Sequence, residues 1–72
     1  MENQRYYGIV REFNVVRGTG YIMMDGAEAP IFVRYSAIEG QGVRTLRVGE
    51  RVSFEIERNG RGLLNALHVV RM

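Results

Sequence analysis

Glycines recur at short intervals along this chain, and the runs between them are rich in Val, Ile, Tyr and Phe. Short β-branched and aromatic runs bounded by turn residues are the signature of strands. The spacing therefore predicts an all-β domain with strands over Tyr6 to Phe13, Thr19 to Met24, Ile31 to Arg34, Arg51 to Glu57 and Leu63 to Val70. Asp25-Gly26 and Asn59-Gly60 are turn dipeptides that tolerate positive φ, and each is expected to join adjacent antiparallel strands. Pro30 stands at a strand start, where its missing N–H does least harm. Five short strands in so small a chain point to a closed barrel. The segment Ser36 to Arg47 has no clean period and reads as a long loop, with a helical turn at Ser36-Ala37-Ile38.

Residues 1–72 make one domain, with residues 1–5 as a short tail. A chain of this size buries only about 60% of the surface its unfolded form exposes. There is no cysteine, so neither a disulfide nor a thiolate metal site supplements the core. That usage suits a reducing cytoplasm. The opening residues MENQRYYG lack the basic flank and apolar run of a signal peptide, and no apolar stretch is long enough to span a bilayer. A cytoplasmic protein without membrane contact is expected.

Net charge is only +2, yet all 10 basic residues are arginine. Arginine stacks on rings and grips phosphate oxygens in a bidentate way. A compositional bias toward arginine accounts for the count equally well, so charge alone names no partner.

Alternation assigns faces. Val52, Phe54 and Ile56 form a core face opposite Ser53, Glu55 and Glu57. Gly20 and Ile22 oppose Thr19, Tyr21 and Met23, and Ile31 and Val33 oppose Phe32 and Arg34. If the aliphatic residues fill the barrel, Tyr21 and Phe32 stand outside it beside Arg34. Rings interleaved with arginines on an outer sheet face are what single-stranded nucleic acid needs. The competing account is a small aromatic cluster of Tyr21, Phe32 and Tyr35 that binds nothing.

Other chemistry finds little support. The single histidine, His68, has no triad spacing with Ser36, Ser53 or Asp25, so no catalytic residues and no enzymatic activity are expected. One histidine and scattered carboxylates fall short of a metal site, and no cofactor is implied. Gly18-Thr19-Gly20 continues neither as a dinucleotide fingerprint nor as a P-loop.

These residues resemble a cold-shock domain, a five-stranded antiparallel barrel of the OB-fold type. Gly8 to Ile22 follows the family's first strand and hairpin, G-x-V-K-W-F-N-x-x-K-G-F-G-F-I. Ile31-Phe32-Val33-Arg34-Tyr35-Ser36-Ala37-Ile38 follows V-F-V-H-F-S-A-I, and Gly42 to Glu55 follows G-F-K-T-L-x-x-G-Q-x-V-x-F-E. Beyond Gly62 the family's proline is Leu63, and matching its final A-x-N-V to Ala66-Leu67-His68-Val69 requires one inserted residue, which leaves the last register open.

The resemblance implies single-stranded RNA or DNA as partner and an RNA-chaperone role. It places Phe13, Tyr21, Phe32 and Tyr35 as stacking residues, and Arg11, Arg17 and Arg61 as basic residues near the bound strand. Arg34 replaces a platform histidine and can stack its guanidinium plane on a base. Gly18 and Gly20 leave room beside neighbouring rings. Three rings of the family pattern are replaced, by Glu12, Thr19 and Val43. Each ring is worth about 1 to 3 kcal/mol of stacking, so binding on the order of micromolar rather than nanomolar is expected. Val15-Val16, apolar residues at a hairpin tip, offer a contact for a partner or a weak homodimer; a protein-interaction module is thus the alternative to a nucleic-acid binder.

Overall fold

A computed structural model describes residues 4–27, 29–40 and 44–72. Its strands β1 (Tyr6–Asn14), β2 (Thr19–Met24), β3 (Pro30–Arg34), β4 (Arg51–Arg58) and β5 (Leu64–Arg71) close into a barrel in the order β1-β2-β3-β5-β4. Every strand lies within one residue of its predicted ends. A single 3₁₀ turn, Tyr35–Ala37, opens the long loop. The barrel is antiparallel except at its closing seam, where Phe32 of β3 meets Asn65 of β5 in parallel. A parallel partner needs a long crossover, and the loop together with β4 provides it.

Parity decides the core. Val10, Ile22, Ile31, Val33, Val52, Phe54 and Val69 are fully buried in one cluster, and the loop adds Ile38 and Leu46 to it. Tyr6 and Met24 pack on its margin while Tyr7 turns outward. At about 25 cal/mol per Å² of apolar surface removed from water, this cluster is the main source of stability in a chain with no cross-link.

Two bulges break the alternation. Val10 faces Ile22 but Glu12 faces Tyr21, so Arg11 is an extra residue in β1. Arg11 and Glu12 are therefore exposed in succession, and Phe13 swings back opposite the buried Gly20. In β5, Leu67 pairs with Glu55 and Val70 with Ser53, which again leaves one residue over. His68, within this stretch, has φ +50, the only positive value at a non-glycine among the described residues. The one residue that the family pattern needs inserted falls earlier, between Gly62 and Ala66, and the ladder to β4, bulge included, fixes the last register.

Arg5, within the expected tail, is anchored there. Its Nη2 donates to the His68 carbonyl oxygen at 2.8 Å and to Ser53 Oγ at 2.9 Å, and Nη1 reaches Glu55 Oε2 at 3.4 Å. Ser53 belongs to the outer face by alternation, but the Arg5 side chain lies over it and it is buried. The turns also differ in detail. Gly26 has the positive φ expected of Asp25-Gly26, whereas in the β4–β5 turn that role falls to Gly62. There the Asn59 side-chain oxygen accepts from the backbone N–H groups of Arg61 and Leu63, the local bonding that suits Asn to turns.

Candidate nucleic-acid interface

The outer face of β1, β2 and β3 is built in rows by the ladder register. Glu12, Tyr21, Phe32 and Asn65 form one row across four strands. Asn14, Thr19 and Arg34 form the row beside it, and Ile9, Met23 and Pro30 the row on the other side. Tyr21 is 41% exposed, and Phe32 is partly so. Their rings meet edge to face with centroids 5.7 Å apart. The Arg34 guanidinium carbon stands 5.6 Å from the Phe32 centroid, over the ring, a cation–π contact worth about 0.5–1 kcal/mol at an exposed site.

A second station lies at the β1–β2 hairpin tip. Tyr35, 56% exposed, borders a shallow concavity with Val15, Val16, Arg17 and Arg44. Its backbone N–H donates to the Gly18 carbonyl at 2.7 Å, tying the 3₁₀ turn to the hairpin. Gly18 is required twice over: φ is +69, and a Cβ would sit 2.7 Å from Tyr35 Cδ1. At Gly20 a Cβ would collide with the Glu12 carbonyl oxygen and the Phe13 ring. The two glycines of the hairpin thus seat two different rings.

The structure brings Tyr21, Phe32 and Arg34 into direct contact and sets Arg11 at their edge, bordering the same depression as Glu12 and Tyr21. Tyr35 and Arg17 share the neighbouring station. Phe13 is only partly exposed and packs against the core rather than on the Tyr21–Phe32 pair. Arg61 is exposed in the β4–β5 turn and does not line the groove beside Phe32. That groove is instead walled by Asn59, Leu63 and Asn65. Their place in it follows from the parallel seam, and the only trace in the sequence is Leu63 at the family's proline position. Of the three replaced rings, Glu12 and Thr19 lie in these rows, whereas Val43 lies outside the described residues.

The arginines divide by pairing. Arg5, Arg51 and Arg71 have carboxylates within 4.0 Å, at Glu55, Asp25 and Glu50. No described carboxylate comes within that distance of Arg11, Arg17, Arg34 or Arg61. The same holds for Arg44 beside Tyr35, Arg58 at the end of β4 and Arg47 in the loop before β4. Away from that face, His68 Nδ1 lies 2.8 Å from Glu39 Oε2. The hydrogen bond to Glu39, and next the charge of Glu55, raise the His68 pKa above 6.5. No group of three or more metal-binding side chains converges among the described residues.

Residues 6–72 match the model of the 'Cold-shock' DNA-binding domain. The chain belongs to the cold-shock domain family. Among similar cold-shock proteins are CspD of Haemophilus influenzae, 44% identical over 76% of each chain, and CspB of Bacillus caldolyticus, 42% identical over 90% of this chain and 96% of that one. A solved structure, drosophila Unr CSD456, superposes with a TM-score of 0.81 at 16% identity. It is matched over 97% of this chain, which spans 27% of the other, and it shares the fold. Cold-shock proteins bind nucleic acid and are not enzymes. Among the described residues no helix is long and apolar enough to cross a membrane.

Proposed function

We propose that this cold-shock domain is a sequence-tolerant binder of single-stranded RNA and DNA, acting in the cytoplasm as an RNA chaperone that traps unpaired strands. Bases stack on Tyr21, Phe32 and Tyr35, while Arg11, Arg17, Arg34 and Arg61 address phosphates. Phe13 supports the face from below, through Gly20. Affinity is lower than a complete platform gives, because Glu12 and Thr19 take the places of rings in its central rows. The observation that carries this reading is the exposed Tyr21–Phe32 pair bordered by arginines without described carboxylate partners. Rings of this kind on an outer sheet face serve no core.

A fluorescently labelled pyrimidine-rich oligonucleotide, titrated at several salt concentrations, tests it. The logarithm of the binding constant should fall with log salt by about 0.7 per phosphate contacted. Absence of binding at low salt would sink the reading.

A second reading is favoured by the hairpin tip, where Val16 is 96% exposed. An apolar tip of this kind suits a protein contact, and a weak homodimer is its simplest form. Sedimentation that is concentration-dependent in the native protein and not in Val16→Asp would support it. A monomer that binds oligonucleotides would exclude it.

A further inference from the structure

We propose that Glu12 reads the base stacked on Tyr21 and selects guanine at that position. The inference rests on the outer face being a single-strand site, and it concerns the one place where that face is not sequence-tolerant.

The β1 bulge is what puts a carboxylate there. Because Arg11 is the extra residue, Glu12 rather than Arg11 is the direct partner of Tyr21, whose other partner is Phe32. Direct cross-strand partners have Cβ atoms about 4.5–5.5 Å apart. A base lying on Tyr21 extends past the ring over its neighbours, so one edge overlies Phe32 and the opposite edge meets Glu12. The carboxylate is exposed, and no described cation lies within 4.0 Å to occupy its oxygens.

An ionised carboxylate only accepts hydrogen bonds, through two oxygens side by side. Guanine offers two adjacent donors on its Watson–Crick edge, N1–H and the N2 amine, and matches both oxygens at once. Cytosine and adenine each offer one amine beside an acceptor nitrogen. Thymine and uracil present a lone N–H flanked by two carbonyl oxygens, which the carboxylate repels. Unstacked bases of single strands are read on this edge, and bonds to a charged acceptor are the stronger kind. The same charge repels phosphate, so the strand must turn a base toward this row and leave its backbone to Arg11 alongside.

Hexathymidine with one guanine placed at each position in turn is the probe, titrated against the native protein, Glu12→Gln and Glu12→Ala. In the native protein one placement should tighten binding about tenfold over hexathymidine, within the discrimination a bidentate base contact provides. Hypoxanthine at that position, lacking the N2 amine, should lose most of the gain. Glu12→Gln, which offers one donor and one acceptor, and Glu12→Ala should abolish the gain while still binding hexathymidine. Binding by the native protein without a guanine gain, or an equal gain in Glu12→Gln, overturns the proposal and leaves single-strand binding intact. Failure of every oligonucleotide to bind overturns both.

Discussion

Tyr21 and Phe32 are direct partners across β2 and β3, and the edge of one ring meets the face of the other at 5.7 Å. The pair stands on the outer side of strands whose inner side is closed by Ile22, Ile31 and Val33. Removing either outer ring should therefore spare the core. Phe32→Ala and Tyr21→Ala should each weaken oligonucleotide binding by about 1 to 3 kcal/mol, the worth of one stacked base. Titration alongside a thermal melt checks both halves, and unchanged affinity in the double variant would remove the aromatic face as the binding site.

Glu12 and Thr19 flank the pair along and across the rows. Glu12→Trp with Thr19→Phe should tighten binding of a thymine-rich strand, by about 1 to 3 kcal/mol for each ring that a base reaches. The experiment is a gain of function, so a folding defect cannot imitate the expected result. No tightening would show that these positions are not on the strand's path.

Arg5 fastens the β5 bulge by donating to the His68 carbonyl and to buried Ser53. Hydrogen bonds to charged groups are worth about 1.5 to 3 kcal/mol when partly shielded. Arg5 retains some solvent exposure, which lowers that figure, so Arg5→Ala should cost about 1 to 2 kcal/mol in urea unfolding. Oligonucleotide affinity should stay the same, because the bulge lies away from the Tyr21–Phe32 rows.

His68 links stability to pH. Its folded pKa is raised, first by the hydrogen bond to Glu39 and then by the charge of Glu55, against smaller opposing effects of desolvation and Arg5. A raised folded pKa means that protonation favours the folded state. The contribution is complete below about 6.5, the unfolded value, and is lost as pH climbs through the raised value. The urea midpoint should fall from pH 6 upward until the imidazole is neutral, and Glu39→Gln should flatten that fall. A midpoint that rises over the same interval would contradict the assignment.

Much of this was legible before any coordinates. Ile22, Ile31, Val33 and Phe54 betray the core by parity alone, because a strand with one wet face cannot slip by a residue without exposing them. The same parity puts Tyr21, Phe32 and Arg34 outside. What alternation cannot show is an extra residue. The β1 bulge pairs Glu12 with Tyr21 and turns Phe13 toward Gly20, and nothing in the local pattern around Arg11 marks it. The β5 bulge left no sign either, because the one insertion that the family pattern needs falls ahead of Ala66 and not at His68. Asn59, Leu63 and Asn65 reach the Phe32 groove only through a pairing between distant strands, and Arg5 acts on residues near the other end of the chain. Such long-range contacts have no local period to read.

The parallel seam between Phe32 and Asn65 also orders events in time. β1, β2 and β3 form a meander of neighbouring segments and carry both rings of the central pair and Arg34. Closing the seam demands that a segment near the C-terminus be brought back to the middle of the chain, which is the expensive step in loop entropy. During synthesis the outer aromatic face therefore emerges first and the cylinder that keeps it rigid is sealed last. A ribosome-bound chain that ends before β5 has Tyr21, Phe32 and Arg34 but not yet a surface that holds them still.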